Sequence, residues 1–257
     1  QARLDELDAD VERQRREKRE LDIEIAIRKG VIELLGKEPG AVPENLTNRE
    51  KAILVKQTSE KLGVTAKFQE IDWDSKVTEL NSKTIDCIWN GMTATDELKN
   101  QINFSSAYMN NSQVAVIRKA DVAKYKDLAS MSGAKVVAEA GSAGEIAVKA
   151  DAGLSKSYLP VKDQGTSLME VKSKTADIAI IDAVTAAGSI GEGTDYDDLM
   201  IVDVISDADS EVYAVGIRQG DTELTAKINA AIKELYDDGT LAKLADKYNL
   251  SGRIIAQ

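Results

Sequence analysis

A chain of 257 residues, 43% hydrophobic and 30% charged, has the composition of a folded globular protein with room for one two-lobed domain or two modest ones. Its net charge of −11 argues against nucleic acid or an anionic membrane surface as partner, and no apolar run reaches bilayer-spanning length. With no histidine and one cysteine, Cys87, it lacks the parts for Ser-His-Asp, Cys-His or disulfide chemistry; no metal, cofactor or catalytic residue is expected.

The chain opens with QARLDELDADVERQRREKRE, which is charged throughout and shows no signal peptide. Residues 1–57 hold 12 basic and 13 acidic side chains, so the net charge belongs to the remainder and a boundary falls near residue 57. Leu4, Leu7, Val11, Leu21, Ile25, Ile32 and Leu35 follow a 3–4 spacing that predicts a helix ended by KEPG at residues 37–40. Thr47 and Glu50, spaced as a capping box, predict a second helix running to Gly63. Residues 1–55 therefore read as a solvated helical hairpin that packs or self-associates through residues 1–35; the acids interleaved in ERQRREKRE disfavour a nucleic-acid arm. The stretch PENLTNREKAILVK resembles the helical accessory region of insertion-sequence transposases, without a catalytic motif, which implies a gene fusion.

Beyond Gly63, residues 64–70 alternate like a strand, and Asp74 is placed to cap the helix KVTELNSK. The short apolar strand TIDCIWN follows. The same helix-then-strand unit returns as SLMEVKSK and TADIAII, ended by Asp182. Further strands are SQVAVIRK, AKVVAEA and SEVYAVGIR; the helices TELTAKINAAIKELYDDG and TLAKLADKYNL close the chain, divided at Gly239. Such alternation predicts an α/β fold with parallel sheets and ligand loops at strand C-termini, and the doubled unit predicts a two-lobed clamshell.

Residues 56–250 resemble the amino-acid-type, family 3 extracellular solute-binding proteins of ABC importers. The likeness is carried in order by KQTSEKLGVTAKFQEIDWDSKVTELNSKTIDCIWNGMTAT, INFSSAYMNNSQVAVIRK, VVAEAGSAGE, ADIAIIDAVTA and VYAVGIRQGDTELTAKINAAIKELYDDGTLAKLADKY. It implies a periplasmic-binding-protein fold of type II. Lobe one would comprise residues 56–114 with 213–257, and lobe two residues 115–212. It also implies an extracellular or periplasmic location, a small polar or zwitterionic solute as ligand, and a membrane ABC permease as partner. Two readings compete with solute binding: a degenerate fusion serving as an interaction module, and an enzyme resembling cyclohexadienyl dehydratases, for which Glu139 or Glu145 would be the cleft acid.

The resemblance also implies roles for residues. The turn Gly91-Met92-Thr93-Ala94-Thr95 would accept a carboxylate on N–H and hydroxyl groups, a chemistry that a helix N-terminus favours on its own; alternatively, Thr95 caps its helix. Ser142 and Ala143, in the glycine-rich loop at 141–145, would hold the carboxylate's other side, or Ser142 caps its own helix. Asp182 would pair with an ammonium, or cap the helix after it. Trp89, Tyr108 and Gln113 could line the cleft, although core packing suits both aromatics. Two departures stand out. Leu98 lies where many relatives carry a carboxylate-clamping arginine, and nothing in residues 1–57 supplies the family's opening strand and ligand loop.

Overall fold

The computed structural model describes residues 46–205, 211–247 and 250–257. Most of the expected hairpin, its self-association through residues 1–35 and residues 43–45 of its transposase-like stretch lie outside them. The second of its helices is α1 (Leu46–Lys61). It ends as expected at Gly63, whose φ of +66° is the left-handed conformation that terminates a helix without steric cost. It already begins at Leu46, so Thr47 lies in its first turn and not at the cap.

The strand expected at residues 64–70 does not form: the segment has no regular secondary structure and pairs with no strand among the described residues. Val64 is 58% and Phe68 46% exposed, because an alternating segment buries a face only when a ladder holds it against a core. A 3-10 turn, Trp73–Ser75, then leads into α2 (Lys76–Asn81), which puts Asp74 inside the turn with no capping role.

The chain continues through β1 (Cys87–Ile88), α3 (Asp96–Lys99), β2 (Asn103–Phe104), β3 (Met109–Asn111) and β4 (Gln113–Arg118). Next come β5 (Val136–Glu139), α4 (Ala143–Ala150), β6 (Tyr158–Val161), α5 (Gln164–Lys172), β7 (Ile178–Asp182) and α6 (Ala183–Ser189). It closes with β8 (Leu199–Val204), β9 (Glu211–Tyr213), β10 (Gly216–Ile217), α7 (Thr222–Asp237) and α8 (Thr240–Lys247). The expected strand SEVYAVGIR is thus divided between β9 and β10. Neither β6 nor β8 stood out in the sequence; Pro160 is tolerated in β6 because that strand lies at a sheet edge.

These strands form two sheets joined by a ribbon. Lobe two holds a five-stranded sheet in the order β6-β5-β7-β4-β8, and lobe one a three-stranded sheet in the order β1-β10-β2. Between them β3 and β9 pair antiparallel, so the chain crosses from one lobe to the other twice, side by side. The expectation of parallel sheets holds only in part. Strand β5 is parallel to β6 and β7, whereas β4 runs antiparallel to β7 and β8, and the whole lobe-one sheet is antiparallel. A strand entering from the ribbon necessarily runs opposite to strands that return through helices.

Lobe two buries apolar residues on both faces of its sheet. Val114, Val116, Ala179 and Ile181 point to one side, and Ala115, Ile117, Ile178 and Ile180 to the other. Lobe one has a small core of Leu80, Ile88, Met92 and Ile102. A further cluster joins Leu54 of α1 to Ile228 and Ile232 of α7 and to Tyr108, Tyr213 and Val184 near the ribbon.

The doubled unit folds the same way twice. SKT stands at residues 82–84 and 173–175, and in each the lysine takes a positive φ, Lys83 at 66° and Lys174 at 69°. Ser82 and Thr84 hydroxyls meet at 2.9 Å, and those of Ser173 and Thr175 at 3.0 Å. An arginine then gathers the carbonyls of each turn. Arg218 donates to Leu80 O and Ile85 O, and Arg118 to Val171 O and Ala176 O, each also pairing with the aspartate that follows, Asp86 or Asp177.

Candidate functional site

The turn after β1 begins at Gly91, whose φ of +80° suits only glycine well. Met92 then drops its side chain into the lobe-one core, fully buried, so only its main chain remains for any other role. The turn is stitched to the second crossing: Ala214 N–H donates to Met92 O at 3.1 Å and Ala94 N–H to Val212 O at 3.0 Å, while Thr93 bridges Tyr213. Thr95 caps α3, its hydroxyl oxygen accepting Leu98 N–H at 3.3 Å. Leu98 packs against the small lobe-one core, and Lys99 is paired with Asp96 at 2.8 Å on the surface, so neither supplies a cation to the turn.

The facing turn belongs to lobe two. Ser142 Oγ accepts Glu145 N–H at 3.1 Å and so caps α4, while the Glu145 carboxylate accepts Gly141 N–H at 2.8 Å and the Tyr158 hydroxyl at 3.0 Å. Burial raises the Glu145 pKa, but Lys149, the Gly141 N–H and the Tyr158 hydroxyl outweigh it and hold the carboxyl below its ordinary range. An acid held ionised in this way is poorly suited to general acid catalysis. Ala143 follows as the first residue of α4, and Gly144 is required by close approach. A Cβ there would stand 2.9 Å from Ile180 O and 3.0 Å from Gln113 Oε1.

The 141–145 turn meets lobe one through Lys76, which drew no attention in the sequence. It is 5% exposed, lies 4.8 Å over the Trp73 ring, and donates to Trp73 O at 3.0 Å and across the cleft to Gly141 O at 2.8 Å. Burial lowers its pKa, opposed by Glu139, Asp74, Glu97 and Glu145. Lys162 of lobe two adds looser pairs with Glu70 and Asp72 of lobe one, at 3.7 and 3.8 Å. The only hint of Lys76 was its spacing, one helical turn before the buried Leu80.

Asp182 ends β7 and is 7% exposed. It makes no capping hydrogen bond to α6, which removes the capping alternative. Its carboxylate instead accepts three amides: Asn111 Nδ2 at 2.7 Å, Gln113 Nε2 at 2.7 Å and Gln164 Nε2 at 2.6 Å. Gln113 was expected near the cleft and stands opposite Asp182 in the ladder. Asn111, Gln164 and Glu211 were missed, because cross-strand register and a helix from elsewhere bring them in.

Trp89 sits apart from the acid. It is half-buried, tilts against Tyr108 with ring centroids 6.2 Å apart, and Tyr108 does the same against Tyr213 at 6.5 Å. With Leu54, Gly91, Val184 and residues of α8, these three line an apolar cavity of about 60 Å³. Burial pushes the Tyr108 hydroxyl's pKa up, and burial followed by the nearby Asp182 does the same to Tyr213. Cys87 is a packing thiol, pushed up to about 11 by burial and thus protonated at neutral pH.

Two lobes joined by a paired crossing, each with a glycine turn at a helix start, and a buried acid at a strand end define a clamshell binding protein. Residues 50–251 match the bacterial extracellular solute-binding proteins, family 3, and the chain belongs to that family. It is 34% identical over 200 residues to the arginine-binding extracellular protein ArtP of Bacillus subtilis (strain 168), covering 76% of this chain and 75% of that protein. Its fold matches an ABC uptake transporter substrate-binding protein from Streptococcus pneumoniae with bound histidine. That match has a TM-score of 0.69 and 34% identity, covering 77% of this chain and 82% of the other. An ancestral arginine-binding protein bound to arginine matches with a TM-score of 0.71 and 30% identity, covering 77% and 87%.

Proposed function

We propose that this chain holds an amino acid between its lobes and delivers it to the membrane permease of an ABC importer, without converting it chemically. The observation that carries this reading is Asp182. A buried carboxylate at a strand's C-terminal end, accepting from three neutral amides, is an anionic partner for a ligand's ammonium. Gln113 orients it. The main chain of Gly91 and Met92, the hydroxyls of Thr93 and Thr95, and Ser142 with the Ala143 N–H receive the ligand's carboxylate, and Trp89 flanks the apolar side. The relatives named above bind arginine or histidine, which agrees with an amino acid as solute.

The lobes are assigned as residues 56–114 with 213–257, and residues 115–212, working outside the cytoplasm as the family does. Among the described residues no helix is long and apolar enough to cross a membrane. The test is thermal unfolding of the full chain with each common amino acid. A ligand at a hundred times its Kd stabilises by about 2.7 kcal/mol, which raises the midpoint by several degrees. If no amino acid moves the midpoint, the proposal fails.

A further inference from the structure

Beside Asp182 lies a second acid. Asn111 of β3 stands opposite Glu211 of β9, and Gln113 of β4 opposite Asp182 of β7, so two ladder pairs bring two amides and two carboxylates together. Gln113 Nε2 donates to Asp182 at 2.7 Å and to Glu211 at 3.0 Å. Asn111 Nδ2 does likewise at 2.7 and 3.3 Å. Two carboxylate oxygens sharing one nitrogen are less than about 6 Å apart. Like charges that close repel, and more strongly away from water.

Among the described residues neither acid forms an ion pair; the donors they receive are neutral amides. A further acceptor belongs to the same group. Asn111 is fully buried, and its Oδ1 has no hydrogen-bond partner. Two anions and an unsatisfied carbonyl oxygen in one place ask for a cation carrying several N–H groups. The surroundings repeat the sign, since Glu139, Asp74, Glu97 and Glu145 all bear on the buried Lys76.

Building on the amino-acid function proposed above, we infer that the Asp182–Glu211 pair selects a solute with a second positive group, a guanidinium or an amine, over a neutral amino acid. A zwitterion brings one positive charge to this end of the cleft and leaves one acid uncompensated when the lobes close. A basic amino acid neutralises both, and its N–H groups reach Asn111 Oδ1 as well. Glu211 is the selectivity residue and Asp182 the ammonium partner.

Isothermal titration of the full chain tests this with arginine against citrulline and lysine against norleucine, pairs alike in shape and different in charge. The basic member of each pair is expected to bind at least about tenfold tighter. Glu211→Gln is expected to shrink that ratio several-fold, with thermal unfolding confirming that the variant folds; the wild-type ratio stands without the variant. Citrulline binding as tightly as arginine, or a ratio untouched by Glu211→Gln, overturns the charge selectivity and leaves the amino-acid function standing. Binding of no amino acid overturns both.

Discussion

The two SKT units are the same device in unequal settings. Each has a helix ending on serine, a lysine at positive φ, a threonine hydroxyl turned back on the serine, and an arginine collecting carbonyls. Yet the strand after the first unit is two residues long, and the strand after the second is five. Strand β7 has β5 and β4 on either side; β1 has β10 alone among the described residues. Local sequence therefore determines the turn, while the length of the strand that follows depends on the sheet it enters. The two glycine turns inherit the difference, one resting on a five-stranded sheet and the other on a three-stranded one.

Large-to-small substitution in the two cores probes this contrast most strongly. Ile180 and Leu80 are at most 1% exposed, each inside its lobe's core. Ile180→Ala should cost about 4 kcal/mol, because a strand packed on both faces cannot close over the void. Leu80→Ala should cost about 2 kcal/mol, since the smaller lobe-one cluster can collapse around the gap. Urea unfolding of both variants decides it, and equal losses would break the comparison.

The same contrast explains what could be read from the chain beforehand. Strand β7 and the long helix α7 were legible because a buried apolar run and a 3–4 stripe are properties of the segment itself. Residues 64–70 misled because alternation states a capacity to pair, which no strand among the described residues takes up. At the site, Asp182 was legible from its place at a strand end. Asn111, Glu211 and Gln164 were not, since only ladder register and the placement of α5 bring them to it.

A smaller effect sharpens the likeness between the lobes. Lys83 and Lys174 both hold the left-handed conformation, which costs a residue with a Cβ about 1 kcal/mol or more. Lys83→Gly and Lys174→Gly should each stabilise by about 0.5 kcal/mol, once glycine's greater freedom in the unfolded chain is set against that relief. Thermal midpoints of the two variants should rise together. A rise in one lobe only would show that the turns are not equivalent after all.

The smallest expected effect concerns Lys76, where the lobes touch. Burial lowers its pKa in the folded protein, against the partial opposition of Glu139, Asp74, Glu97 and Glu145. In the unfolded chain the same lysine titrates near the ordinary lysine value of 10.5. Between the two pKa values the unfolded state binds more protons, so this residue's contribution to stability rises with pH across the window just below 10.5. Other lysines act in a different window: Lys61 and Lys227, raised chiefly by their hydrogen bonds to Glu234 and Glu223, keep their stabilisation below 10.5 and lose it only as pH climbs through their folded values. The Lys76→Met variant separates the contributions, because it keeps those pairs and removes only the buried ammonium. The midpoint of the wild type, measured relative to Lys76→Met, should rise with pH up to the onset of general lysine titration. A flat difference would mean that the ammonium between the two lobes is solvated, and that its bond to Gly141 O does not bury the charge.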